Sequence, residues 1–146
     1  ELATTCFGYQ HKHSDNILFG SDSGRIYRTD IHGNNTSEDK INVQQSIEAH
    51  FGPITNIDFP KFQKDSGITK ISSSVSGLYL TSSYDWTVKL WHNKIGTKLG
   101  KHNNGPLSVF DQMTDYVYDV KWNIGGKPGV FACCDGESKI NLFDLK

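Results

Sequence analysis

Cysteine, methionine and long apolar runs are scarce in this sequence, and each scarcity excludes something. Only Cys6, Cys133 and Cys134 occur among 146 residues. They are odd in number, two are adjacent and none sits in a CxxC spacing, so neither a disulfide framework nor a thiolate zinc site is indicated. A reducing, intracellular compartment suits them. No apolar run approaches the roughly 20 residues that cross a bilayer, so membrane insertion is not expected. Neither sign of charge is in excess: 15 Lys and Arg stand against 16 Asp and Glu, a net charge of -1. Without clustered cations a phosphate backbone finds little to bind, and nucleic acid is not an expected partner. The chain opens on Glu1 with no basic leader or small-residue cleavage site. No targeting signal is read, and the chain is taken as a segment of a longer protein.

Sustained helical periodicity is missing too. Short β-rich runs recur instead between clusters of Gly, Asn, Asp and Ser. The predicted strands are Thr4 to Tyr9, Ile17 to Gly20, Arg25 to Thr29, Val43 to Ile47, Ile54 to Asp58, Leu78 to Ser83, Thr87 to Trp91, Leu107 to Phe110, Val117 to Lys121, Val130 to Cys133 and Lys139 to Phe143. The polar stretches HKHSDN, GNNTSEDK, KFQKDSG and HNKIGTKLGKHNNG lie between them and read as surface loops. The chain is therefore expected to be all-β, a series of antiparallel meanders.

A repeat organises these strands. Leu2, Thr5 and Phe7 share the 0, +3, +5 spacing of Ile54, Ile57 and Phe59, and of Val117, Val120 and Trp122. Each triplet leads to a turn, a β-run, a second turn rich in Asp, Gly or Ser, and a last run: GRIYRT, WTVKLW and SKINLF. The middle unit is longer, and the loop Lys61 to Ser76 is the natural place for its extra residues. The units read as 1–48, 49–111 and 112–146. A four-stranded propeller blade takes roughly 40 to 45 residues and a closed ring 4 to 8 blades. About three consecutive blades of an incomplete β-propeller are expected.

The middle unit carries the most specific motif, TSSYDWTVKLW. Thr81, Ser83, Asp85 and Trp91, with Ala49-His50 upstream, resemble the WD-repeat (WD40) signature of a GH-like dipeptide, an S-x-S-x-D turn and x-T-V-x-L-W. The resemblance implies that His50, Thr81, Ser83, Asp85 and Trp91 form a buried hydrogen-bonded relay. Such a relay is a folding device and not a catalytic triad. In the third unit Phe143 stands at the tryptophan position with no matching His, and in the first Thr29 does, so neither is expected to hold the full relay. GPITNIDF, LTSSYDWTVKLW, DYVYDVKW and FACCDGESKINLFDL, in that order and preceded by FGSDSGRIYR, are similar to the WD domain of dynein intermediate chains, most like the cytoplasmic kind. The resemblance implies a non-catalytic scaffold subunit that docks on the dynein heavy-chain tail and links the motor to cargo adaptors on microtubules in the cytoplasm. Light chains and dynactin would bind parent regions outside this chain, and no cofactor is implied. An axonemal intermediate chain acting in ciliary motility, and an unrelated WD-repeat scaffold, stay open as alternatives.

Other features read more plainly. HKH at His11 to His13 lacks a third ligand at a recognisable spacing and reads as solvated side chains. Cys133 and Cys134 point to opposite faces of their strand, the inward one as a small core residue. NIGGKPG lacks the phosphate-loop spacing and reads as a hairpin turn. No Ser, His and Asp set stands in a nucleophile-elbow context, so no catalytic or metal residue is assigned. Aromatics remain: Trp86, in a turn where most WD repeats use Gly or a small polar residue, with Tyr84, Tyr116 and Tyr118. They are candidate partner-binding residues, with Asp115 and Asp119 offering polar contacts at the same end.

Overall fold

A computed structural model describes residues 3–9, 16–30, 43–61, 77–93, 105–124 and 127–145. These form eleven strands: β1 (Thr4–Tyr9), β2 (Asn16–Ser21), β3 (Arg25–Asp30), β4 (Val43–Glu48), β5 (Ile54–Asp58), β6 (Leu78–Ser83), β7 (Val88–His92), β8 (Ser108–Phe110), β9 (Val117–Trp122), β10 (Val130–Asp135) and β11 (Ile140–Asp144). Among the described residues there is no helix. The strands pair in chain order into three antiparallel sheets: β1-β2-β3-β4, β5-β6-β7-β8 and β9-β10-β11. The sheets are open, as in part of a β-propeller. The first strands stand together, β1 against β5 and β5 against β9.

Alternation on the strands gives each sheet two apolar faces, and each neighbour covers one. Leu18 and Ile26 of the first sheet pack with Ile54, Ile57, Phe59, Tyr79 and Trp91 of the second. Leu80, Val88 and Leu90, on the second sheet's other face, pack with Val117, Val120, Trp122, Phe131 and Cys133 of the third. Beyond β11 the pattern stops. Ile140 and Leu142, which stand where Val88 and Leu90 stand in the second sheet, are 79% and 75% exposed against 0% and 7%.

The pairing moves one expected repeat position. Ile54 faces Ser83 and Ile57 faces Thr81, whereas in the first sheet Thr4 faces Ser21 and Phe7 faces Phe19. Ser21 and Ser83 close equivalent hairpins, so the first triplet is Thr4, Phe7 and Tyr9, two residues on from the expected Leu2, Thr5 and Phe7. Leu2 lies outside the described residues. Every first strand carries one extra residue, a bulge that the 0, +3, +5 spacing already contains: Thr5, Thr55 and Tyr118 fall between paired neighbours. Leu2, Thr5 and Phe7 share that spacing with Thr4, Phe7 and Tyr9, and the pairing with β2 selects the second set. The extra residue leaves the ladder and its side chain is re-aimed.

Thr5 and Thr55 use the freedom identically. The Thr5 hydroxyl donates to the Ile54 carbonyl, and the Thr55 hydroxyl to the Val117 carbonyl at 2.7 Å, so each ties its sheet to the first residue of the next. Asp58 adds a second tie: its carboxylate accepts from the Trp122 N–H at 2.7 Å, and its carbonyl from the Trp122 indole at 3.2 Å. Burial pushes the Asp58 carboxyl above the usual range, and the Trp122 N–H opposes that.

The hairpins repeat as well. Residues 22–24, 84–86 and 136–138 are three-residue loops, and the last residue of each has positive φ: Gly24 at 77°, Trp86 at 68° and Ser138 at 61°. This is the turn-plus-bulge hairpin whose third position lies in the left-handed region. Glycine fits it without strain, and at Gly24 it is required, because an added Cβ would lie 2.2 Å from the His50 carbonyl oxygen. That approach lets the Gly24 carbonyl accept from the Ala49 and His50 N–H groups.

The inter-sheet tie makes a test. Thr55→Val keeps the shape but leaves the Val117 carbonyl without this donor and the buried Ser82 hydroxyl without its Thr55 partner, and should lower unfolding free energy by about 1 to 3 kcal/mol in urea melts. Thr55→Ser should recover most of the loss.

Candidate functional site

The segment after β4 brings His50 into the gap between the first and second sheets. Its backbone is held by Gly24 and its side chain enters the second sheet, where it is fully buried. A buried imidazole must satisfy both nitrogens. Nδ1 lies 2.9 Å from Asp85 Oδ2 and Nε2 lies 2.7 Å from Thr81 Oγ1, which also accepts the Trp91 indole N–H at 2.9 Å. The carboxylate only accepts, so Nδ1 carries the proton. Nε2 then accepts from the Thr81 hydroxyl, whose lone pairs receive Trp91. Four of the five expected relay residues thus form one unbroken chain.

Ser83 is set apart from that chain and holds the turn. Its hydroxyl donates to the Gly52 carbonyl at 3.0 Å and accepts from the Asp85 N–H at 3.1 Å. Thr87 was not among the expected relay residues, although its hydroxyl donates to Asp85 Oδ1 at 2.6 Å and lies 3.1 Å from His50 Nδ1. Its place in the T-V pair after the turn was the available signal. The Phe51 N–H completes the cradle at 3.1 Å from Asp85 Oδ2. Burial acts to raise the Asp85 carboxyl, but His50, Thr87 and the Phe51 N–H outweigh it and hold the group well below the usual carboxylate range. His50 moves down too: burial disfavours its charged form more than Asp85 favours it. The pair is therefore a neutral imidazole donating to a carboxylate.

The other sheets build the same places without the relay. In the third, Cys133 faces Asn141 across the ladder as Thr81 faces Lys89. Phe143 stacks on Phe131 at 4.8 Å and 13° where Trp91 stacks on Tyr79 at 6.3 Å and 12°. Burial, with Asp135 nearby, pushes the Cys133 thiol up to about 11, so it is an inert core residue. Cys134, on the other face, is partly exposed.

At the hairpin end of the junction between the second and third sheets, three tyrosines converge. Tyr84, from the loop after β6, lies 4.8 Å from Tyr116 and meets Tyr118 of β9 edge to face at 5.8 Å. All three are 39% to 49% exposed. Trp86, 47% exposed, makes no ring contact with them among the described residues. Asp115 Oδ1 accepts from the Tyr116 N–H at 2.7 Å. Asp119 accepts from Asn56 and the Val120 N–H and lies 3.8 Å from Lys121 Nζ. The HKH segment lies outside the described residues, as do two glycines of NIGGKPG. Among the described residues no cluster of metal-ligating side chains occurs.

The chain is 31% identical over 144 residues to the cytoplasmic dynein 1 intermediate chain of Drosophila melanogaster, a match that takes in 99% of this chain. The chain is a relative of the dynein intermediate chains. It spans 19% of the length of that curated relative. No family model matches. The dynein-intermediate-chain resemblance and the all-β partial propeller agree with what TSSYDWTVKLW and its neighbours implied.

Two tests address the relay. Asp85→Ala and His50→Ala should each lower stability by about 1 to 3 kcal/mol, because each strands a buried partner. The double variant should lose clearly less than the sum, since both break one network; urea melts of the set decide it. Acid should act through the same pair. With its folded pKa depressed, His50 contributes fully above its unfolded value near 6.5, and stability falls as pH drops below about 6.5, where the unfolded chain takes up a proton first. Asp85, also depressed, adds a loss only below about pH 4. Tm measured from pH 8 to 5 should fall in the wild type and run flatter in His50→Gln.

Proposed function

We propose that this chain is part of a non-catalytic scaffold subunit of a dynein motor complex. The observation that carries this reading is the similarity to a dynein intermediate chain over nearly the whole of the chain. The subunit would dock on the heavy-chain tail and link the motor to cargo adaptors for microtubule-based transport in the cytoplasm. Light chains and dynactin would bind elsewhere in the parent protein.

The geometry supports a scaffold. Stacked sheets tied through Thr5, Thr55 and Asp58 hold the hairpin loops at fixed positions, which suits a surface that engages protein partners. An enzyme reading loses its best material: the Ser, His and Asp side chains closest together are hydrogen-bonded within the interior, and the His50 side chain has no exposed surface. Trp86 is the first anchor to test. A tryptophan held at a φ of 68° and half in water is strained and poorly hydrated, and the fold gains no ring contact from it among the described residues.

Affinity capture of the full-length protein from its own cells should bring down a dynein heavy chain and light chains. Trp86→Ala should weaken heavy-chain capture, and Trp86→Gly should do the same while leaving Tm unchanged or raised, because glycine suits that turn. Capture of an unrelated complex, or undiminished heavy-chain capture by both variants, would overturn the subunit reading or the Trp86 assignment respectively.

A further inference from the structure

We propose that Tyr84, Tyr116 and Tyr118, together with the Asp115 carboxylate that accepts from the Tyr116 N–H, form a platform that receives an arginine side chain of the partner protein. The inference rests on the scaffold reading above and specifies the chemistry of one contact.

The backbone of the repeat does not require these side chains. Tyr118 occupies the bulge position that Thr5 and Thr55 fill in the other two sheets, where the threonine hydroxyl ties one sheet to the next. Tyr118 instead lays its ring against Tyr84. Tyr116 stands where Ala3 and Pro53 stand, and Tyr84 where Asp22 and Gly136 stand. The backbone bond between these two positions is the same at every sheet: Asp22 N–H to the Ala3 carbonyl at 3.1 Å, Tyr84 N–H to the Pro53 carbonyl at 3.0 Å and Gly136 N–H to the Tyr116 carbonyl at 3.0 Å. The hairpin is thus pinned whatever side chains these positions carry. Tyr118 thus departs from the residue that the other two sheets share and, with Tyr84 and Tyr116, builds an exposed aromatic cluster at one junction; such a departure from a local rule marks a functional position.

The carboxylate fixes the class of occupant. Asp115 Oδ1 is held by the Tyr116 N–H, and Oδ2 rests over Gly136, where a Cβ would lie only 2.4 Å away. No cation lies within ion-pair distance of Asp115 among the described residues; Lys139 is paired with Glu137, and Lys121 lies between Asp119 and Asp58. An apolar side chain covering the rings would crowd that carboxylate without compensating it. A guanidinium stacks on aromatic faces while its planar fork reaches a carboxylate, which the compact ammonium of lysine does not match.

The test uses the full-length protein labelled with fluorotyrosine and followed by fluorine NMR, with N-acetyl-arginine methylamide and N-acetyl-lysine methylamide as probes. The arginine probe should shift the resonances of Tyr84, Tyr116 and Tyr118, each assigned by single replacement, and the lysine probe should bind about tenfold more weakly. Asp115→Asn should remove the preference. Tyr118→Thr, which restores the residue of the other two sheets, should lower Tm only slightly, through loss of its contact with Tyr84, and lower heavy-chain capture about tenfold, as expected for an interface anchor. Absence of an arginine-induced shift, equal response to lysine, or a response unchanged in Asp115→Asn overturns the platform. If heavy chain is still captured by the wild type in that event, the scaffold reading stands without it; an intact arginine response with no heavy chain in any capture overturns the scaffold reading alone.

Discussion

The His50 imidazole has two nitrogens and no exposed side-chain surface, and that constraint organises the middle of the molecule. Each nitrogen must find a partner inside the protein, and the two partners lie on different parts of the second sheet: Asp85 in the hairpin and Thr81 on β6. The backbone N–H of the same residue bonds the Gly24 carbonyl in the first sheet's hairpin. One residue therefore fixes the hairpin of one sheet, the hairpin of the next and the tryptophan at the end of the chain of bonds. A buried network of this kind is valuable only when every member is satisfied. Among the described residues no buried side-chain polar atom lacks a partner.

Around that network the structure is a set of positions filled three times. The bulge position holds Thr5, Thr55 and Tyr118, and the left-handed position holds Gly24, Trp86 and Ser138. The β6 relay position holds Thr81 in one sheet and Cys133 in another. Where the occupant suits the geometry, as Thr55 and Gly24 do, the fold explains it. Where a large aromatic replaces it, as at Trp86 and Tyr118, the fold tolerates the residue, Trp86 at a positive φ and Tyr118 against Tyr84.

The strands were legible from the sequence because alternation and turn residues act locally, and each predicted strand coincides with an observed one to within a residue at each end, except that β10 runs two residues beyond the predicted Cys133, to Asp135. The resemblance named residues that meet, His50 with Asp85 and Thr81 and Thr81 with Trp91, while Ser83, named with them, holds the turn instead. The first triplet was not legible, because Leu2, Thr5, Phe7 and Thr4, Phe7, Tyr9 share one spacing and only the pairing with β2 puts Phe7 rather than Thr5 in the place of Ile57. Thr87 was missed because its hydroxyl matters only once the turn brings Asp85 over it. The meeting of Tyr84 with Tyr116 and Tyr118 is a property of two sheets side by side. Periodicity within one strand cannot express it.

No single strand reveals its own contribution to stability. Val88 and Ile140 are of one chemical kind, as are Leu90 and Leu142, yet the first of each pair is buried and the second stands in water. The difference lies wholly in whether another sheet packs alongside. The opposite end behaves alike: Phe7 and Tyr9 touch edge to face at 5.7 Å and remain exposed, while Ile57 and Phe59, their counterparts, are buried against the first sheet. Burial of apolar surface stabilises by roughly 25 cal/mol per Å², so in this architecture the driving force resides at the junctions and not in the blades. A unit of this kind is defined by its neighbours, as in other stacked-repeat proteins. It follows that the polar ties across a junction, Thr5 to Ile54, Thr55 to Val117 and Asp58 to Trp122, set the register in which that apolar surface is brought together.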